Sequence, residues 1–190
     1  MKSKHPTERP VGERPSAEYL RIGALPAREL EAVLLRGDTP DPEQLAGWEF
    51  RGLNTPSWAR WLGIQKFVKG FYKSAAGQLF GYNIPVRQNP LDGPWEYKNP
   101  KDPRRFGFYR VDLVDAAQKD NAYLHALLLD YGRGGNADLD PTSGLRDYLV
   151  RVERGADDLL LGKAYYALGP LRVPTSYFVL ERLRPTDFKR

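Results

Sequence analysis

The stretch from Leu45 to Tyr72 reads L-A-G-W-E-F-R-G-L-N-T-P-S-W-A-R-W-L-G-I-Q-K-F-V-K-G-F-Y, and its reading decides the fold. It holds three of the four tryptophans, Trp48, Trp58 and Trp61, the first directly behind Gly47. Leu45 to Leu53 has the texture of a strand. Asn54 or Thr55 then offers a helix cap before Pro56, a residue suited to the first helical position, and Trp58, Trp61 and Leu62 follow at helical spacing. Beyond about Gly63 the pattern changes. Lys66 to Lys73 and Gln78 to Ile84 are β-rich runs separated by Ser74-Ala75-Ala76-Gly77, which predicts a hairpin.

Working outward, residues 1 to about 20 carry Pro6, Pro10 and Pro15 among charges, with too little apolar surface to offset ordering, and are expected to form a disordered arm. Leu30, Val33 and Leu34 share a face between Pro26 and Gly37, predicting a helix over 26–36. On the other side, Pro85 to Pro103 has five prolines around Trp95 and Tyr97. A connection of that length reads either as a lid or binding loop, or as a surface loop pinned by Trp95. Further strands are expected at Arg105 to Val114, Tyr123 to Tyr131, Arg146 to Glu153, Asp158 to Leu168 and Thr175 to Leu183. With the first half, that makes about eight. Eight antiparallel strands close into a small barrel whose interior is filled by side chains or holds one ligand. The expected architecture is therefore mainly β, one barrel domain over 21–185 with one or two short helices in the N-terminal third and a tail at 186–190.

Composition agrees with one domain. A chain of 190 residues, 41% hydrophobic and rich in Tyr and Phe, buries a core of ordinary size. With no cysteine, disulfides, thiolate metal sites and cysteine nucleophiles are excluded. No apolar run approaches the roughly 20 residues of a membrane span, so a soluble cytoplasmic protein is expected. The net charge of +5 is unevenly spread: Phe50 to Leu91 carries six Lys or Arg and no acid, whereas acids dominate from Asp112 to Asp158. Either these are ordinary solvated charges or the first half presents a basic face.

The order of Gly-Trp strand, Trp-rich helix, Lys-Phe hairpin, L-L-L-D-Y-G, L-R-D-Y-L-V-R-V, L-L-L-G-K-A-Y-Y and Y-F-V-L-E-R resembles the bacterial GXWXG-type proteins of unknown function. It is more distantly similar to lipocalin-like barrels, which also start on a Gly-and-Trp motif. Here Gly47 directly precedes Trp48, where the family pattern spaces Gly-x-Trp-x-Gly. The resemblance implies a barrel, a habit of holding ligands, and an Arg near the last strand, Arg182 or Arg184, stacked on Trp48 as a structural cation-π contact.

Catalytic chemistry has few candidates. His5 falls in the arm, which leaves His125 alone and rules out a multi-histidine metal site. His125 reads as a wall histidine, with single-histidine haem ligation as the remaining cofactor option. Gly132-Arg133-Gly134-Gly135-Asn136 lacks the Gly-Lys-Ser/Thr ending of a phosphate loop and reads as a hairpin turn rather than an anion nest. No catalytic residue is assigned. The leading expectation is a non-enzymatic barrel that binds a small apolar or amphipathic molecule, with Trp61, Tyr82, Trp95, Phe108, His125 and Tyr165 as walls. Arg87, Arg110 and Lys163 would receive an anionic head group. The alternative is docking of a basic face, 51–87, on anionic lipid, with nucleic acid the less favoured partner.

Overall fold

The computed structural model describes residues 14–190. Eight antiparallel strands form a closed barrel: β1 (Trp48–Asn54), β2 (Lys66–Lys73), β3 (Leu79–Pro85), β4 (Phe106–Leu113), β5 (Leu127–Asp130), β6 (Leu145–Glu153), β7 (Ala156–Leu168) and β8 (Leu171–Pro185). Each strand pairs with its successor, and β8 returns to pair with β1, from Trp48↔Pro185 to Asn54↔Phe178. This is the up-and-down closure of lipocalin-like barrels, and it leaves no sheet edge. The mainly-β, eight-stranded expectation holds.

Four short helices precede or interrupt the first strands, where one or two were expected: α1 (Ala17–Gly23), α2 (Ala27–Arg36), α3 (Pro42–Leu45) and α4 (Ser57–Trp61). Residues 17–20 were expected in the arm but are helical. The Ser16 hydroxyl caps α1 by accepting from the Tyr19 amide, and Tyr19 and Ile22 are buried against the barrel, enough apolar contact to order a seven-residue helix. The rest of the expected arm, residues 1–13, lies outside the described residues. At the other terminus Phe188, expected in the tail, packs edge-on against Tyr72 and Tyr82, with centroids at 5.1 and 4.7 Å. Tyr123 to Ala126 do not extend β5, which runs only from Leu127 to Asp130; the Ala126 amide turns back to the Tyr123 carbonyl instead. After β5 the chain makes two 3₁₀ turns, Tyr131–Arg133 and Pro141–Gly144, rather than a hairpin turn at Gly132.

Alternation along the strands gives the wall two apolar faces. The inner set includes Phe50, Phe71, Tyr109, Leu129, Leu149, Leu160 and Leu180. The outer set includes Leu53, Tyr82, Ile84, Tyr148, Val150, Leu161 and Val179, and it is covered by α1, α2 and the Pro-rich loop carrying Trp95. One end of the barrel is solid. There α3 inserts Leu45 beside Phe50 and Phe71, whose rings meet at 85° and 5.5 Å. On the same end Arg182 lies over Trp48, 4.6 Å from the ring centroid, held by Asp158 at 2.6 Å and by the Gln44 carbonyl at 3.0 Å. The expected cation-π contact is thus made by Arg182, while Arg184 lies over Tyr97 and pairs with Glu49.

Candidate functional site

The opposite end is open. The β1–β2 loop with α4, the start of β4, the second 3₁₀ turn and the β7–β8 hairpin surround the mouth of a cavity of about 410 Å³ that reaches into the barrel. Its walls are mainly apolar, with Phe67, Phe178, Ala164, Leu145, Val86 and Ile64, and Asn54, Gln88, Lys98, Thr175 and Ser176 add polar groups to the lining. Gly52, Gly81 and Gly162 lie opposite Phe67, Tyr109 and Phe178, and each ring covers the glycine across the strand pair.

The floor is polar. Lys69 of β2 is buried and points inward from the strand that also carries Phe67 and Phe71. Its ammonium donates to Asn83 Oδ1 (3.2 Å), the Tyr131 hydroxyl (2.6 Å) and Asp147 Oδ2 (3.1 Å). The Tyr131 hydroxyl in turn donates to Asp147 Oδ2 at 3.0 Å, and Asn83 Nδ2 donates to the Gly107 carbonyl at 2.9 Å. The faces of Tyr109 and Phe178 lie 4.4 and 5.2 Å from the ammonium. Burial lowers the Lys69 pKa from its ordinary value, and the Asp147 charge opposes that shift. Burial also drives the Tyr131 hydroxyl well above its ordinary value, so it stays a donor.

None of the expected wall or head-group residues lines this cavity. Tyr82, Trp95, Phe108 and Tyr165 belong to or pack against the outer apolar layer. Trp95 donates its indole N–H to the Gly52 carbonyl at 3.2 Å and covers the ammonium of Lys66 at 3.7 Å, so the Pro-rich loop is pinned to the outer wall. His125 is also outside, half-buried, with Nε2–H donating to the Leu34 carbonyl of α2 at 3.0 Å, and it does not line the cavity. Arg87 and Arg110 are paired with Glu96 and Asp112. Lys163 donates to Glu31 of α2 and to Tyr123, both at 2.7 Å, along a shallower outer hollow of about 350 Å³. Burial disfavours the Lys163 charge, but these bonds outweigh it and raise its pKa. Trp61 is on the mouth but 90% exposed, and Trp58, four-tenths exposed, is the α4 side chain that reaches the cavity.

The basic face expected over 51–87 is dispersed. Arg51, Lys66 and Lys69 are buried, Lys73 pairs with Glu43, and Arg87 with Glu96. Strand alternation sends successive cations to opposite sides of the wall, which charge counting along the chain cannot show. What the mouth presents instead is apolar. Of the exposed large hydrophobic side chains, Trp58, Ile64 and Phe106 line the cavity, and Trp61 and Leu62 lie in the same β1–β2 connection as Trp58.

No protein-family model matches the chain, and no curated protein matches it either. No helix among the described residues is long and apolar enough to cross a membrane.

Proposed function

We propose that the chain is a binding protein that takes a small apolar molecule into the open half of its barrel. The observation that carries this is the cavity of about 410 Å³ with mainly apolar walls and a buried polar cluster at its floor, within the size and chemistry of small-ligand sites. Wall and floor divide the work of recognition. The walls supply the burial energy, roughly 25 cal/mol per Å² of apolar surface covered, and the floor fixes orientation. Access is through the gap between α4 and the β7–β8 hairpin, whose exposed apolar side chains ease an apolar molecule out of water. The closed end contributes rigidity: Leu45, Phe50 and Phe71 fill it, so binding does not require that end to move.

The Gly47-Trp48 start with Arg182 stacked on the indole supports the further reading that the chain is related to the GXWXG-type and lipocalin-like barrels.

Plugging the cavity tests the proposal. Ala164 lies on its wall, and Ala164→Phe would occupy the space with a ring. Binding of 1-naphthol, followed by quenching of tryptophan fluorescence, is expected to weaken at least about tenfold, close to the 1.4 kcal/mol that a tenfold change represents. Unchanged binding in a folded variant would place the ligand elsewhere and end the proposal.

A further inference from the structure

The floor of the cavity also says what kind of molecule the barrel holds; this inference rests on the binding function proposed above. All of its hydrogen-bond donors are spent. The three N–H groups of Lys69 go to Asn83, Tyr131 and Asp147. The two N–H groups of Asn83 go to the Gly107 carbonyl and the Tyr131 hydroxyl, and the Tyr131 O–H goes to Asp147. Both bonds to Asp147 end on Oδ2. Oδ1 accepts none among the described residues, and it is not among the buried atoms that lack a partner, while the side chain of Asp147, 4% exposed, lines the cavity. One carboxylate oxygen therefore meets the cavity with its lone pairs unused.

Charge narrows the choice. Lys69 and Asp147 form a buried pair with no net charge. An anionic group seated at the floor would bring a second negative charge to Asp147 and find no free donor within that cluster. An ammonium would place a second cation beside Lys69 on the same carboxylate. Either leaves an uncompensated charge in a low-dielectric interior, which is costly. A neutral hydroxyl keeps the charge balanced and gives Oδ1 the short, charge-assisted bond that a carboxylate makes with O–H.

We propose that the cavity selects an uncharged apolar molecule bearing an alcohol or phenol group, whose O–H donates to Asp147 Oδ1. The anionic head group expected from Arg87, Arg110 and Lys163 is replaced by a neutral donor at the opposite side of the wall.

Four probes of one shape separate the alternatives: 1-naphthol, 1-methylnaphthalene, 1-naphthoate and 1-naphthylmethylammonium, titrated into the full chain with dissociation constants read from NMR shifts of the Ala164 and Leu145 methyl groups. The expected ranking places 1-naphthol about tenfold or more tighter than 1-methylnaphthalene, since hydrogen bonds to charged groups are the stronger class, with both ions weakest. A second measurement uses Lys69→Met/Asp147→Leu, a double change that substitutes apolar groups for the whole pair and is commonly tolerated. In that variant 1-naphthol and 1-methylnaphthalene should bind alike. Equal binding of these two by the unsubstituted protein, or tighter binding of either ion, would overturn the hydroxyl assignment while leaving a ligand-binding barrel intact. A 1-naphthol preference that survives the double change would overturn it as well, by moving the donor contact away from Asp147. Failure of all four probes to shift the cavity methyls would remove the binding function itself and this inference with it. The ranking on the unsubstituted protein decides the matter even where the double variant does not fold.

Discussion

Lys66 shows how much one side chain can be asked to hold. It points outward from the first residue of β2, and its ammonium is caged by Asn89 Oδ1, by the carbonyls of Pro90 (3.0 Å), Gly93 (3.3 Å) and Pro94 (3.2 Å), and by the face of Trp95. Among the described residues no carboxylate bonds to it directly. Burial, with the charge of Arg51 adding to it, pulls its pKa down to about 8. The sign of the pH effect follows. Between about pH 8 and the ordinary lysine value near 10.4 the unfolded chain binds this proton more tightly than the folded one, so the Lys66 contribution to stability rises with pH across that window. A ¹³Cε titration of lysine-labelled protein should show a resonance with a midpoint near 8 that is absent in Lys66→Met. A Lys66 midpoint above 10 would contradict the cage as described. The same contrast, one cation under an aromatic face outside and one with a carboxylate inside, explains why Lys66 and Lys69 cannot be judged from their shared K-x-x-K run.

At the scale of strands, four glycine–aromatic pairs recur: Gly52 with Phe67, Gly70 with Tyr82, Gly81 with Tyr109 and Gly162 with Phe178, each directly opposite in register. In each the ring lies over the glycine of the neighbouring strand, where a Cβ would come within 2.1 to 2.3 Å of a ring carbon. Such pairs let a strongly curved sheet carry large side chains without crowding. Gly162→Ala should therefore cost about 1–3 kcal/mol by displacing Phe178, measured by denaturant unfolding. It should also narrow the cavity, because Phe178 lines it. A change under about 0.5 kcal/mol, the range of ordinary surface substitutions, would show that the ring yields freely. Strand positions were legible to within a few residues, since Lys66–Lys73 falls where its run predicts, and the Gly47-Trp48 start found its arginine. Which face points inward was not. In β3 both Phe80-Tyr82-Ile84 and Leu79-Gly81-Asn83 end up out of water, one under Phe188 and its neighbours, the other inside the barrel. Alternation reports two faces and does not say which is concave. Choosing the bulkier face as the interior put Tyr82, Phe108 and Tyr165 on the wrong side, and glycine opposite an aromatic does not decide it either, since Gly52, Gly81 and Gly162 face inward while Gly70 lies outside under Tyr82. Lys69 and Asp147 could not be paired by inspection because they are far apart in sequence and meet only across a closed barrel.

The whole molecule depends on the seam between β1 and β8. β8 pairs with β7 from Leu171 to Glu181 and with β1 from Phe178 to Pro185, so its removal opens two strands to unpaired backbone at once. A chain ending at residue 170 is expected to lose cooperative thermal unfolding and to aggregate, followed by circular dichroism and size-exclusion chromatography; a monomeric truncation that melts cooperatively would show that the seam is dispensable. The seam also sets an order of events during synthesis. β1 is among the first strands to leave the ribosome and its closing partner is the last, and at typical elongation rates the interval from Asn54 to Leu171 lasts on the order of ten seconds. Through that time one flank of β1 can be occupied only by the β2–β3 hairpin, complete at Pro85, while the other stays open. The nascent barrel is thus a growing sheet with a waiting edge, and cellular factors that shield unpaired strands have their longest opportunity on this protein at the backbone of Trp48 to Asn54.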